Sequence, residues 1–181
     1  MHTHVESVLR RLDEAHTALR SAIDLVPPAA RTRRTHPDRW SASEVLEHIS
    51  LVEAAFTNRV GAVIAAAVAA GLQRERAERT VLPDAIAAML SDRSTRREAA
   101  EPVRPTGQLD SEAAWTAVER TRDEIRAMIV QADGLALSAV AHAHPFFGTL
   151  TVYQWVELIA AHRDRHAMQI REIAAQFAGG S

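Results

Sequence analysis

The chain has 181 residues, 47% hydrophobic and 24% charged, a size and composition that fit one domain with a buried core. Its net charge of −2, with arginine as the only basic residue type besides histidine, gives no basis for attraction to nucleic acid or membranes. The absence of cysteine excludes disulfides, thiolate metal ligands and a cysteine nucleophile. Because the N-terminus lacks a basic segment followed by an apolar run, and no apolar stretch reaches ~18 residues, we expect a cytoplasmic protein.

Hydrophobic periodicity predicts two long helices in the N-terminal half. The first covers residues 5–25 and is stopped by the prolines at 27–28, after which residues 31–39 form a polar loop. The second begins at residues 41–44, whose sequence Ser-Ala-Ser-Glu fits a capping box, and it ends near Gly71.

The segment after the second helix is mostly polar. Residues 73–79 are a charged connector, and residues 82–90 favour a short helix. Residues 91–108 contain two prolines and a glycine and indicate a long crossing loop.

Two more long helices are predicted in the C-terminal half. The third opens at residues 110–111 and ends at Gly134. Residues 141–150 are expected to form a loop. A second capping box at residues 151–154 opens the fourth helix, which runs to about Phe177.

Strand signals are nearly absent from the sequence. Four helices of ~20 residues make rods of ~30 Å, which is the geometry of a helix bundle. The sequence therefore predicts an all-α fold, a four-helix bundle with a long crossover connection, in a single domain over residues 1–181.

Three histidines occupy positions where apolar side chains are expected. His162 and His166 lie four residues apart on the inward seam of the fourth helix, so both imidazoles can reach one ion. His48 lies between Val45 and Val52 on the inward stripe of the second helix. One divalent metal ion shared by the three rings would satisfy all of them, whereas the alternative is three separate hydrogen-bonded core histidines.

The ligand set determines what such a site could do. Three neutral imidazoles leave the ion its full charge and an open position, as in catalytic sites. Zn²⁺, Ni²⁺, Fe²⁺ and Mn²⁺ are all compatible with nitrogen ligands. Glu44 lies one turn before His48 and is the candidate catalytic base, although its capping role is an equal alternative, and Glu157 is a weaker candidate.

Other titratable residues are predicted to face solvent. Glu47 and Glu53 lie off the apolar stripe of the second helix, and Asp164 points about 200° away from His162. His142 and His144 are placed in the loop before the fourth helix. The remaining histidines are predicted at the surface: His2, His4, His16 and His36.

Two blocks of the sequence resemble a known family. Residues 40–49, Trp-Ser-Ala-Ser-Glu-Val-Leu-Glu-His-Ile, resemble the first motif of the DinB-like proteins, also called YfiT-like metal-dependent hydrolases. Residues 144–155, a Pro/Gly loop, lead into residues 162–170, which are similar to the family's H-x-x-x-H-x-x-Q-I ending. The resemblance implies a four-helix bundle with a long crossover, commonly a homodimer.

The same resemblance implies that the family's three metal-binding histidines are His48, His162 and His166, with zinc or nickel the favoured ions. Some relatives use low-molecular-weight thiols such as bacillithiol or mycothiol. We therefore expect a small-molecule substrate, such as a low-molecular-weight thiol, with no nucleic-acid or membrane partner. The small side chains of residues 60–72 permit close helix approach and predict an association face for a homodimer, with ordinary burial inside the monomer as the alternative.

Three hypotheses follow. The first is a metal-dependent enzyme, either a hydrolase or a small-thiol S-transferase. The second is a non-catalytic metal-binding or stress-response module. The third is a purely structural bundle whose histidines belong to the core.

Overall fold

The computed structural model describes residues 1–77, 81–94 and 98–179. Five helices dominate these ranges: α1 Thr3–Asp24, α2 Ala42–Ala69, α3 Asp84–Ser91, α4 Ser111–Gln131 and α5 Val152–Ala178. Two strands, β1 Ala141–His144 and β2 Gly148–Thr151, form a small antiparallel hairpin before α5. The predicted all-α bundle is confirmed: its four long helices are α1, α2, α4 and α5, and the predicted short helix is α3.

Capping boxes start the two helices that carry the candidate ligands. The Ser41 side chain accepts a hydrogen bond from the Glu44 amide, and the Glu44 carboxylate accepts one from the Ser41 amide. Thr151 and Gln154 make the same reciprocal pair at the start of α5. These side chains accept hydrogen bonds from backbone amides that have no acceptor within the helix. They set the residue at which each helix begins, and therefore the position of its histidines along the bundle.

Helix α1 packs along α5, α2 packs along α4, and α2 also meets α5. The core between them includes apolar side chains from each of these four helices. The part of the core at the same height along the bundle as the candidate site includes Leu19, Val45, Ile49, Val118 and Ile170. Apolar burial of this kind is the main source of bundle stability.

The structure departs from the sequence prediction at residues 141–150, which form the β1–β2 hairpin and not a loop. Gly148 opens β2 with a φ of +74°, a conformation that favours glycine. Each strand has only four residues, and β1 is half exposed with alternating burial. A strand this short has too few residues for a clear period-two pattern, so its signal was missed.

The two connectors are described only in part. In the charged connector, the described residues 73–77 include an isolated bridge between Arg74 and Leu135, while 78–80 lie outside the described ranges. In the long crossing loop, a short 3-10 turn covers Glu101–Val103, while 95–97 lie outside the described ranges.

Helix α2 is the one helix in the described part of the chain that is long and apolar enough to cross a membrane, judged by length and composition alone. Its first residues, 42–50, are all buried in the bundle, as expected for a core helix. Its most apolar window is only 22% buried, because several alanines near its C-terminal end face solvent. Length and composition of a single helix are weak evidence for a membrane span.

Candidate metal centre

The fold brings His48 from α2 together with His162 and His166 from α5. One ring nitrogen from each histidine lies within 4.8 Å of the other two. The Nε2 atoms of His162 and His166 are 3.1 Å apart, and the His48 ring centroid is 5.0–5.3 Å from the other two centroids. The ring centroid of Trp40 lies 4.9 Å from that of His48. The predicted convergence of the three rings is therefore present.

Hydrogen bonds determine which ring nitrogens face the centre. His48 Nδ1 lies 2.7 Å from the carbonyl oxygen of Val103. Because a carbonyl can only accept, this Nδ1 carries the proton and the Nε2 of His48 keeps its lone pair. His166 Nδ1 likewise donates to the side-chain oxygen of Gln169 at 2.8 Å, which leaves Nε2 as its ligand atom.

His162 lacks such a partner. Its Nδ1 is buried without a hydrogen bond, while its Nε2 faces the unprotonated Nε2 of His166. Without an ion, a proton on His162 Nε2 makes this contact a hydrogen bond to His166, and Nδ1 is then an acceptor without a donor. Two imidazole nitrogens bound to one tetrahedral ion at about 2 Å lie roughly 3.3 Å apart, so the observed separation fits a shared metal.

The surroundings keep all three rings neutral. Burial, followed by the repulsion that a proton on His166 or His48 would exert, holds the pKa of His162 well below its ordinary value. Burial, followed by the repulsion that a proton on His48 would exert, lowers the pKa of His166 to about 3. Burial also lowers the pKa of His48, although its bond to Val103 opposes this. Neutral imidazole is the form that binds a metal, so the cluster is ready to do so at neutral pH.

Glu44, the candidate base, has other partners. Its carboxylate caps α2 through the Ser41 amide and forms an ion pair with Arg34. Burial opposes its ionisation, but the hydrogen bonds from Arg34 and Ser41 outweigh burial and hold its pKa below the ordinary value. A low pKa makes a weak base. The catalytic role of Glu44 stays a prediction.

Glu157, the weaker candidate on α5, is also engaged. Its carboxylate accepts a hydrogen bond from the amide of Leu82, which precedes α3. This contact ties α3 to α5 and gives Glu157 a structural role.

Two glutamates predicted to be solvated are buried instead. Glu47 is only 5% exposed, because residues of the crossover connection cover its side of α2. Glu53 is fully buried and forms a two-pronged ion pair with Arg163, with both N–O distances 2.6 Å. Asp164 is partly exposed and pairs with Arg11.

The prediction of surface histidines was right for His36 and wrong for two others. His4 and His16 are both only 8% exposed. His16 is covered by Trp115 and lies 2.8 Å from a guanidinium nitrogen of Arg163. A helical wheel cannot show such a contact, since it comes from a different helix.

The stability of the protein should fall by about 2 kcal/mol between pH 7.5 and pH 5 through His16 alone. Burial, then the charge of Arg163, lowers its pKa from 6.5 to about 4. Between these pH values His16 becomes protonated in the unfolded chain but stays neutral in the folded chain. The free energy of unfolding therefore falls as the pH falls. Urea denaturation at both pH values measures the loss.

The matched variant for this test is His16→Gln, which can still accept a hydrogen bond from Arg163 but does not titrate. Other groups contribute equally to both proteins, so the pH dependence of wild type minus variant isolates His16. Parallel pH profiles of the two proteins would contradict the prediction.

A helical bundle with three converging neutral imidazoles defines a class of protein whose interior could hold a divalent metal ion. The chain belongs to the DinB superfamily, whose family model matches residues 11–170. The match includes all three histidines of the cluster, and it confirms the resemblance seen in the sequence. No curated protein and no solved structure gives a significant match.

Proposed function

We propose that this DinB superfamily protein is a metal-dependent enzyme in which His48, His162 and His166 hold one divalent ion, with Zn²⁺ or Ni²⁺ the first candidates. The observation that carries the proposal is the convergence of the three rings, whose ligand nitrogens lie within 4.8 Å of one another, with the Nε2 atoms of His162 and His166 3.1 Å apart. Gln169 and the Val103 carbonyl orient the rings of His166 and His48, as metal-bound histidines are usually oriented.

An ion held by three neutral ligands supplies Lewis acidity, which lowers the pKa of a water or thiol bound at its open position. The chain contributes no thiol of its own, since it has no cysteine, so a thiol would have to come from a small-molecule substrate. Hydrolysis and transfer of a low-molecular-weight thiol are the two reactions we propose.

The metal content of untagged protein tests the first part of this proposal. We expect about one ion per chain in the wild type and none in His166→Ala, because two histidines hold an ion far less tightly than three. His36→Ala is the matched control, since His36 is exposed and lies outside the cluster. Equal metal content in all three proteins, or none in the wild type after reconstitution with Zn²⁺, Ni²⁺ or Mn²⁺, would overturn the site.

Activity tests the second part. The metal-loaded wild type should turn over an ester, or transfer a small thiol to an electrophile, and the activity should disappear in His166→Ala. A protein that binds one ion but turns over none of these substrates would support the non-catalytic metal-binding or stress-response module.

We also propose that the protein is a cytoplasmic homodimer that associates through the outer face of α2. Ala62, Ala65, Ala66 and Val68 are exposed on this face, and burying them against a second copy would remove apolar surface from water. Light scattering decides the oligomeric state, and a monomer mass at micromolar concentration would exclude the dimer.

A further inference from the structure

Glu47 and His48 are consecutive residues of α2, and both bind the same short stretch of the crossover connection. This stretch, residues 103–107, begins at the last residue of the 3-10 turn Glu101–Val103 and precedes α4. We call it the crossover clamp. Glu47 binds its C-terminal end and His48 binds its N-terminal end.

The Glu47 carboxylate accepts three hydrogen bonds from the crossover clamp. Its Oε1 accepts from the amide of Thr106 at 2.9 Å and from the Thr106 hydroxyl at 2.6 Å, and its Oε2 accepts from the Gly107 amide at 3.0 Å. Hydrogen bonds to an ionised carboxylate are about twice as strong as neutral ones. Thr106 and Gly107 are themselves exposed, so this carboxylate is a main attachment of the segment to α2.

The other end of the crossover clamp meets the metal ligand. The Val103 carbonyl accepts the Nδ1 proton of His48 at 2.7 Å. Only two residues lie between Val103 and Thr106, and one of them, Pro105, limits backbone freedom. Holding Thr106 and Gly107 on Glu47 therefore also fixes where the Val103 carbonyl lies relative to His48.

Gly107 shows that the fit of this segment to α2 is close. Its φ is +73°, and a Cβ added there would lie 3.1 Å from an oxygen of Glu44. A side chain at this position would be strained by the backbone conformation and crowded by α2.

We infer that Glu47 is a positioning residue for the metal centre: through the crossover clamp it places the Val103 carbonyl that fixes the protonated nitrogen and orientation of His48. Glu47 does not need to touch the ion. The inference rests on the proposed metal site for its consequence, a higher metal affinity, but the effect on His48 exists in the metal-free protein.

The test uses Glu47→Gln in the full chain. Glutamine keeps the size of the side chain, but it presents an NH₂ group where Glu47 accepts from Thr106 or Gly107. In the metal-free protein, the nitrogen NMR signals of His48 should shift from a Nδ1-protonated ring toward a mixture of tautomers. Metal affinity, measured by competition with a chelator, should fall about 10- to 100-fold, the usual cost of losing an outer partner of a ligand.

Two further variants keep the test decisive. Thr106→Val removes the hydrogen bond that the Thr106 hydroxyl donates to Glu47, one of the three. It should lower the metal affinity too, but by less than Glu47→Gln does. Ser43→Ala is the matched control, because Ser43 is also a buried polar residue of α2 but binds the Arg31 carbonyl of a different loop. It should leave the His48 signals and the metal affinity unchanged.

Unchanged His48 signals in both Glu47→Gln and Thr106→Val would overturn the inference, whatever the metal content of the wild type. Shifted His48 signals combined with metal affinities within twofold of the wild type would also overturn it. Wild-type protein that binds no metal would instead overturn the proposed function, and the His48 signals would still decide whether Glu47 positions this ring.

Discussion

Replacing Glu53 with alanine should destabilise the protein by about 3–5 kcal/mol, the usual cost of breaking a fully buried ion pair from one side. Both Glu53 and Arg163 are 0% exposed, so the guanidinium that remains cannot be hydrated. The loss spreads beyond the pair, because Thr121 donates to the same carboxylate at 2.5 Å and Arg163 also contacts His16. Urea denaturation measures the change in the free energy of unfolding.

A double variant separates the cost of a stranded charge from the value of the pair. Glu53→Leu with Arg163→Met replaces both charges by apolar side chains of similar volume, and it should recover much of the stability lost in Glu53→Ala. Full recovery is not expected, since His16 would lose its partner. The control is Glu124→Ala, which removes an exposed pair with Arg120 and should cost less than about 0.5 kcal/mol. A loss below 1 kcal/mol in Glu53→Ala would contradict the prediction.

The elements of the fold were predictable where local signals agree. The capping boxes at Ser41 and Thr151 coincide with the start of strong apolar periodicity, and both helices begin there in the structure. Patterning and capping are properties of neighbouring residues, so a sequence displays them directly. The β1–β2 hairpin was missed because it depends on pairing between strands too short to show alternation.

The two wrong predictions of solvent exposure, for Glu47 and Glu53, have a shared cause. A helical wheel assigns each residue to an inner or an outer face, as though a helix had one partner. Helix α2 has more than one: the crossover connection covers Glu47, while Arg163 of α5 and Thr121 of α4 enclose Glu53. Polar residues at such flanking positions are buried by elements distant in sequence, and only the assembled fold shows them.

The histidines of the candidate site were predictable from the sequence, but the groups that orient their rings were not. Histidines four residues apart on an apolar seam, with a third on a second inward stripe, indicate one shared centre. The partner of His48 is a backbone carbonyl, to which any residue at position 103 would contribute the same atom. No residue type signals such a contact, so sequence alone could not have identified the crossover clamp.

Adding Zn²⁺ or Ni²⁺ to the metal-free wild type should raise the midpoint of thermal unfolding by about 8–16 °C. An ion that binds the folded chain at 1,000 times its dissociation constant contributes about 4 kcal/mol. Each kcal/mol shifts the midpoint of a domain of this size by about 2–4 °C. Chelation should reverse the shift, and calorimetry with and without chelator measures it.

His162→Ala distinguishes the proposed metal site from a structural histidine cluster. In the metal-free wild type, the Nε2 of His162 hydrogen-bonds to that of His166, and its buried Nδ1 has no partner. The metal-free variant should be less stable than the metal-free wild type by about 1–3 kcal/mol, as the loss of a packed side chain usually costs. It should also lose the response to metal.

If the three histidines were ordinary core residues, the response to metal would be absent from both proteins. Removing His162 would then cost about 1–3 kcal/mol, as the loss of a packed side chain does, and metal would shift neither protein. The two accounts therefore differ in one result. A metal site predicts a higher melting temperature of the wild type on addition of metal and no such shift in His162→Ala, whereas a structural cluster predicts no shift in either protein.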